Sequence, residues 1–324
     1  MAITIGHGSA VEVGEESTWG TAVTTTHMAV VSSVDLSKSI DRKAMPHLGK
    51  GDIGSTTAQE FVDGLIEAGG SFSHPLYYDD PTSTILLAHA LGKVAESGAG
   101  PYVHSIDLAV PTNTALKGLT LGDRKGREDM WKYEGVVISR TEITVRPGEP
   151  VIAKFDVLAE DKAAAAAQTS LTYQSSPEAV MGQDFGVLAW NSVNHIAASI
   201  TIRIDRKFER RPVLGTQLTL QPLPSDRATV EIEAELEYGV STQPDGAWLT
   251  KTASNVTFTA TGTSNNAILF TGHGAEVMSI GDPVAAHGRI LRRVVWACKG
   301  SAAATSGISI DVTNDVATYN ASAS

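Results

Sequence analysis

The feature of this sequence that most constrains its fold is a strict alternation of apolar and polar side chains. Between residues 228 and 238 every even position is apolar and every odd position is Thr or Glu. Successive side chains of a strand point to opposite faces of a sheet, so this period of two is typical of a strand with one buried face. Similar stretches lie at residues 34–40, 151–157, 200–204, 256–260 and 308–312. The sequence therefore predicts a mainly β fold.

One segment predicts a helix. Asp80 can accept hydrogen bonds from the first free N–H groups, and Pro81 fits the first turn, where its missing N–H costs nothing. Apolar residues follow at helical spacing, and Gly92 can take the left-handed conformation that ends a helix. The expected fold class is mainly β, a β-dominated α+β fold with one clear helix.

The sequence also contains a weak internal repeat. Ile-Asp-Arg-Lys at residues 40–43 recurs at 204–207, and Leu-Gly at 48–49 recurs at 214–215; the separations, 164 and 166, are close to half of the 324 residues. Each copy of the tetrapeptide ends an alternating stretch and precedes a loop that contains Gly or Pro. This pattern favours a duplicated domain. The alternative is two similar strand-and-loop segments within one large sandwich.

Domain boundaries follow from where the alternation stops. Residues 163–184 are rich in Ala, Ser and Gln and show no sustained alternation, which predicts a linker. The predicted division is an N-terminal arm at 1–27, a first domain at 28–165, a linker at 166–190 and a second, degenerate copy at 191–324.

The composition and the missing motifs argue against several functions. The chain has 25 basic and 36 acidic residues, a formal charge of −11, which is unfavourable for binding phosphates. Its single cysteine excludes an internal disulfide and a CxxC metal site, and its nine histidines form no HExxH motif. The sequence also lacks a phosphate-binding loop, a GxSxG motif, a long apolar stretch and a recognisable secretory signal. We expect no catalytic residue, cofactor, metal or membrane association.

One charge pattern does predict a functional surface. The four odd positions Glu231, Glu233, Glu235 and Glu237 put four carboxylates on one face of a strand. Asp63 and Glu67 are the corresponding acidic residues of the first half. Like charges about 7 Å apart repel each other, so such a face must be solvated or balanced by a neighbour such as Arg203. An ordinary exposed sheet face is the alternative interpretation.

Several segments resemble the tail tube (major tail) proteins of long-tailed bacteriophages. Residues 14–22 read Gly-Glu-Glu-Ser-Thr-Trp-Gly-Thr-Ala, and the strand and Gly-rich loop through residues 40–55 are similar to that family. So are the end of the predicted helix at 86–92 and the segment Trp-Lys-Tyr-Glu-Gly-Val-Val at 131–137. The resemblance covers most of residues 14–160 and, more loosely, 190–315. The second half has no good counterpart of the helix.

The resemblance implies a structural virion protein with a β-sandwich or barrel domain, not an enzyme. Members of this family form rings that stack into a tube, and strands of all subunits join into one inner β-barrel through which the genome is ejected. Rings carry six tube domains, so a duplicated chain implies three chains per ring, with six chains as the alternative. The implied partners are further copies of the chain, tape-measure and tail terminator proteins, and double-stranded DNA that passes without specific binding. The protein would be made in the host cytoplasm. A non-contractile tail is favoured over a contractile one, because the tube subunits of contractile tails are usually shorter.

The resemblance predicts the roles of two sets of residues. An acidic channel would keep DNA mobile, and the predicted lumen-facing residues are Asp63, Glu67, Glu231, Glu233, Glu235 and Glu237. The Gly-rich loop and the N-terminal arm before Met28 are predicted to contact the next ring. The loop residues concerned are Pro46, Leu48, Lys50, Asp52 and Ile53.

A second function class is a β-sandwich module that binds or adheres at the virion surface. Such a module needs an exposed aromatic platform, whereas aromatic residues are only 6% of this chain and its five tryptophans are dispersed.

Overall fold

The computed structural model describes residues 10–44, 61–98, 100–109, 117–125, 129–166, 177–237, 249–281, 291–300 and 306–316. The helix α1 spans Pro81–Leu91, and a short 3-10 helix spans Gly182–Asp184. The strands are β1 Ala10–Glu15, β2 His27–Ala29, β3 Ser33–Ala44, β4 Phe61–Pro75, β5 Gly92–Ser97, β6 Tyr102–Leu108, β7 Leu119–Lys125, β8 Asp129–Val145, β9 Ile152–Ala159, β10 Asp161–Ala166, β11 Leu188–Trp190, β12 Val193–His195, β13 Ala197–Asp205, β14 Phe208–Pro212, β15 Thr219–Pro224, β16 Thr229–Glu237, β17 Ser254–Thr261, β18 Ala267–Gly281, β19 Leu291–Cys298 and β20 Ile308–Asn314. The prediction of a mainly β fold is confirmed.

Eight antiparallel strands form what we call the large sheet. Their order is β3–β4–β9–β8–β13–β16–β19–β18, so four strands of the first half of the chain are followed by four of the second. The alternating stretches of the sequence lie in these strands and in β17 and β20; apolar residues are buried at every second position of β16, β17 and β20, and in β3 Leu36 is buried while Val34 and Ile40 are half-buried. The strands were predictable because one face of each is covered by the core.

Two outer sheets complete the core. The first has the order β2–β1–β7–β8–β10, and the second has the order β12–β11–β17–β18–β20–β6–β5. The long strands β8 and β18 each belong to the large sheet and to one outer sheet. Side chains of different sheets pack between them, such as Trp190 of β11 against Trp296 of β19, with ring centroids 5.9 Å apart. No sheet among the described residues closes on itself, so the predicted barrel is not formed within one chain.

The two halves of the chain repeat the same pairing order. Strands β3–β4–β9–β8 correspond to β13–β16–β19–β18, and β2–β1–β7–β8–β10 correspond to β12–β11–β17–β18–β20. Gly135 of β8 and Gly274 of β18 both have a positive φ, 58° and 53°. These glycines are 139 residues apart (274 minus 135), as are the pairing irregularities after Ile138 and Val277. The same backbone bend therefore occurs at equivalent places in both halves.

The register shows how the sequence repeat relates to this structural one. Val157 of β9 and Trp296 of β19 are equivalent residues. Val157 lies opposite Gly70, which lies opposite Leu36. In the second half, Trp296 lies opposite Ile232, which lies opposite Ile202. Leu36 and Ile202 are 166 residues apart, which equals the separation of the two Leu-Gly pairs. The Ile-Asp-Arg-Lys match, at 164, is two residues out of register. The division into an arm, two domains and a linker stays a prediction.

The helix α1 and the strands β5 and β6 lie between β4 and β7 of the first half; most of the equivalent segment of the second half, residues 238–248, lies outside the described residues. Asp80 caps α1 by accepting a hydrogen bond from the Thr82 N–H, and Gly92 ends it in the left-handed conformation, as predicted. Nearly every residue of α1 is buried. The buried guanidinium of Arg206, in the second half, donates to the carbonyl of His89 near the end of α1 at 2.9 Å. Strand β6 of the first half pairs with β20 of the second.

Two consecutive glycines allow β3 and β9 to approach β4 closely. A Cβ on Gly70 (φ 142°) would lie 2.0 Å from the carbonyl oxygen of Asp35, and one on Gly69 would lie 2.4 Å from that of Val157. Contacts this short require a shift of backbone, because the opposing atoms are not flexible side-chain ends.

We therefore expect Gly70→Ala to lower the free energy of unfolding by about 2 kcal/mol or more. Urea unfolding followed by tryptophan fluorescence measures this effect. The control is Gly186→Ala, because a Cβ there meets nothing within 4 Å; its effect should stay within about 0.5 kcal/mol. Equal stabilities of the two variants would contradict the close approach.

Candidate assembly surface

The large sheet has one face against the core and one face in solvent, which we call the open face. In β16 the even-numbered residues are buried, Glu231 and Glu235 are exposed, and Glu233 and Glu237 are half-buried. All four carboxylates therefore lie on the open face. Directly opposite residues of antiparallel strands share a face. The register therefore identifies the residues of the other strands on this face. From β4 to β16, one row of directly opposite residues is Ser71, Asp156, Arg140, Asp205 and Thr229.

Glu67 shares the open face, but Asp63 does not. Glu67 lies opposite Ser39, which is exposed on this side of β3. One extra residue in β4 then shifts the register, and Asp63 lies opposite Arg42, on the side of β3 that carries Ile40. Because side chains alternate, a one-residue irregularity moves all later residues to the other face. The Asp63 carboxylate accepts a hydrogen bond from Arg42 Nε at 2.8 Å.

Basic side chains of the neighbouring strands balance the central glutamate. Arg203 of β13 donates from Nη1 to Glu233 at 2.6 Å and from Nε to Glu142 of β8 at 3.2 Å. Arg293 of β19 binds Glu233 from the other side. The hydrogen bond from Arg293, and then that from Arg203, lower the pKa of Glu233 against the opposing effect of its burial. The expected role of Arg203 as a balancing charge agrees with this geometry.

Charges of opposite sign alternate across the strands. Lys154, Glu142, Arg203 and Glu231 lie directly opposite one another in β9, β8, β13 and β16. Each carboxylate in this row has a basic neighbour, which reduces the repulsion between like charges. Acidic residues still outnumber basic ones on the open face. The acidic ones are Asp35, Asp41, Glu67, Glu142, Asp156, Asp205, Glu231, Glu233, Glu235, Glu237 and Glu276, and the basic ones are Lys43, Arg140, Lys154, Arg203 and Arg293.

A separate hairpin, β14–β15, projects from the end of β13 with apolar residues on its surface. Leu214 at its turn is fully exposed, and Val213, Leu220 and Leu223 are about 40% exposed. The hairpin is held to β4, where the Ile66 N–H donates to the carbonyl of Gln217 at 2.9 Å. It connects β13 to β16, and residues 45–60 connect the equivalent strands β3 and β4. The predicted stacking residues Pro46, Leu48, Lys50, Asp52 and Ile53 fall in 45–60, outside the described residues.

The described residues contain no group of three or more His, Cys, Asp or Glu side chains that could hold a metal ion. In the same part of the chain, no helix has the length and apolar character needed to cross a bilayer.

Comparison with protein families decides between the two classes of function. The family model described as phage tail tube protein matches residues 6–320. The chain belongs to the phage tail tube protein family. That family is structural, and its members are components of the virion tail. No curated protein sequence matches the chain.

The N-terminal segment that resembles other tail tube proteins forms a buried turn around Glu16. The Glu16 carboxylate accepts hydrogen bonds from the Gly20 and Gly135 N–H groups and from the Thr120 hydroxyl, each at 2.9 Å. A Cβ on Gly135 would lie 3.0 Å from the ring of Trp19. This part of the predicted N-terminal arm thus holds the bend of β8, and β1 within the arm pairs with β7.

The same turn brings three carboxyl groups together. A Cβ on Gly20 would lie 2.0 Å from Oε2 of Glu160, so Glu160 and Glu16 both lie against this glycine. Burial first, and then the charges of Glu134, Glu16 and Asp161, raise the pKa of Glu160 to about 7. Burial also raises the pKa of Glu16 and of Glu134. From these shifts we expect the cluster to make the stability of the tail tube protein depend on pH.

Sequence reasoning missed Arg293 and the apolar hairpin. Arg293 lies 60 positions after Glu233 and reaches it only because β19 pairs with β16. The adjacent Val213 and Leu214, between Pro212 and Gly215, were a signal, since apolar residues are uncommon in an exposed turn.

A raised carboxyl pKa in the folded state stabilises the protein at low pH. The contribution of Glu160 is complete below its ordinary pKa of 4.5 and is lost as the pH rises through about 7. We expect Glu160→Gln, which keeps a neutral side chain, to gain stability relative to the unmodified protein between pH 5 and pH 8. Urea unfolding at both pH values measures the difference. Glu209→Gln, at an exposed position of β14, should show no such change; the same result for Glu160→Gln would contradict the interpretation.

Proposed function

We propose that this tail tube protein assembles into rings of three chains, which stack head to tail into the tube of a non-contractile tail. The observation that carries this proposal is the large sheet, since each chain contributes eight strands in two equivalent sets of four. Three chains then supply 24 strands (three times eight). With strands about 4.8 Å apart and tilted by about 40°, they close into a barrel about 50 Å across.

The width of this barrel favours three chains over six. Six chains would give 48 strands (six times eight) and a barrel about 100 Å across. A channel of about 50 Å, reduced by side chains and water on its wall, still admits duplex DNA. Closing the sheet between chains also pairs the edge strands that would otherwise aggregate.

In this assembly the open face lines the channel through which the genome passes into the host. Glu67, Glu231, Glu233, Glu235 and Glu237 are the proposed lumen residues. A wall that binds phosphates would slow the DNA, because each basic contact releases counterions and adds affinity. The charge balance on the open face supports this role, since Arg203 and Arg293 are held by Glu233. The protein is structural and performs no catalysis.

Two segments are proposed to contact the next ring. The hairpin β14–β15 carries Leu214, and residues 46–54 connect the equivalent strands of the first half. Exposed apolar side chains on a projecting turn are typical of a protein contact. Tape-measure and terminator proteins are the proposed partners inside the tube and at its end, and the protein is made in the host cytoplasm before it joins the virion.

The adhesion-module alternative receives no specific support. Among the described residues, Phe61 and Trp131 are the aromatic side chains classed as exposed, and they lie on different strands, β4 and β8.

Negative-stain microscopy and mass measurement of the purified protein test the proposal. We expect stacked rings, and an isolated ring with the mass of three 34.0 kDa chains. Leu214→Asp should leave rings but shorten the tubes, because it places a charge in the ring contact. Val187→Asp, at another half-exposed apolar position, is the matched control. Monomers at high concentration would contradict assembly, and full-length tubes of Leu214→Asp would contradict the stacking role of the hairpin.

The proposed channel charge is tested by reversing it. We expect assembled tubes of the double variant Glu231→Lys/Glu235→Lys to retain linear duplex DNA at low salt and to release it as salt rises, whereas unmodified tubes retain none. Co-sedimentation measures retention. The control Asp226→Lys/Asp315→Lys makes the same charge change at exposed positions outside the four-glutamate row. Equal retention by the two variants would show that the glutamates do not line the channel.

A further inference from the structure

The large sheet ends in two open edges. Strand β3 pairs with β4 on one side, and the last residues of β18, 276–281, pair with β19 on one side. In the part of the chain that the structure describes, neither has a strand on its other side. Open edges present rows of backbone N–H and C=O groups that can pair with another strand.

The chain contains a template for joining such edges. Strand β13, which is equivalent to β3, pairs on its outer side with β8, which is equivalent to β18. At this internal junction Asp205 lies opposite Arg140 and Arg203 lies opposite Glu142. The Arg206 N–H donates to the Ser139 carbonyl at 2.9 Å. Asp205 and Arg140 therefore form a pair without mutual hydrogen bonds, the kind whose Cα atoms are about 4.5 Å apart.

The equivalences within the chain transfer this register to the open edges. Residues of β3 correspond to residues of β13 that are 166 positions later, so Ser39 corresponds to Asp205 and Ser37 to Arg203. Residues of β8 correspond to residues of β18 that are 139 positions later. Arg140 thus corresponds to Ser279, and Glu142 corresponds to Gly281.

We propose that β3 of one chain pairs antiparallel with the end of β18 in a second copy of this chain, with Ser39 opposite Ser279 and Ser37 opposite Gly281. This inference rests on the proposed ring and specifies its contact. In the same register, the Ile40 N–H donates to the Met278 carbonyl, as the Arg206 N–H does to Ser139 within the chain.

The side chains at the two edges fit this contact. Ser37, Ser39, Ser279 and Gly281 are small and exposed, so on the open face no bulky side chain stands between the two edges. The internal junction instead carries the ion pair between Arg203 and Glu142. The proposed contact between chains would therefore rely on backbone hydrogen bonds, without a counterpart of this ion pair.

Disulfide trapping tests the register. Assembled Ser39→Cys/Ser279→Cys protein, with Cys298→Ala in every variant, should form disulfides between chains under mild oxidation, because opposite residues without mutual hydrogen bonds have Cα atoms within disulfide range. Ser37→Cys/Gly281→Cys is a second pair in the same register and serves if the first does not assemble. Ser37→Cys/Ser279→Cys is displaced by two residues and is the control. Cys298 is removed, although its burial raises its pKa to about 12.

On a denaturing, non-reducing gel we expect a ladder of two and three linked chains from either matched pair, with at least tenfold less from the control. Rings or tubes in the microscope that yield no matched disulfides would overturn the register and leave the ring intact. Stronger linking of the displaced pair would also overturn it. If the unmodified protein forms no rings, both the proposed function and this contact are wrong.

Discussion

The long strand β8 is the element on which the rest of the structure depends, because its backbone pairs with four other strands. Its first half joins β7 and β10 in an outer sheet, and its second half joins β9 and β13 in the large sheet. The bend at Gly135, fixed by the Glu16 carboxylate, lets one strand serve both layers. Strand β8 therefore covers the core of the first half from both sheets without a break in the chain. Because β13 is the first strand of the second half in the large sheet, the same strand also joins the halves.

If the open face lines the proposed channel, its electrostatics satisfies two requirements that conflict in a simple acidic strand. A row of glutamates repels itself, whereas a neutral wall would not repel DNA. Pairing Glu233 with Arg203 and Arg293 relieves the repulsion at the centre of the row, while the exposed Glu231 and Glu235 keep the surface negative. The guanidinium groups of both arginines are also occupied by carboxylates. Such groups compete poorly for a passing phosphate backbone.

The sequence predicts those parts of the fold that are determined locally. The strand β16 follows from its alternation, and α1 follows from Asp80, Pro81 and Gly92. The strand β10 could not be predicted, because residues 163–166 are all alanine and form a strand only since β8 extends beside them. The partners of Glu233 and the face of Asp63 depend on register, which bulges set. For the same reason, the Ile-Asp-Arg-Lys match indicated a repeat but misplaced it by two residues.

In the described chain, the strands β5 and β6 extend one outer sheet and not the other. Strand β6 pairs with β20 and β5 pairs with β6, while β10, the equivalent of β20, carries no such addition among the described residues. In the proposed ring of three chains, this hairpin of β5 and β6 would occur once per chain, whereas the set of four strands that lines the lumen would occur twice per chain.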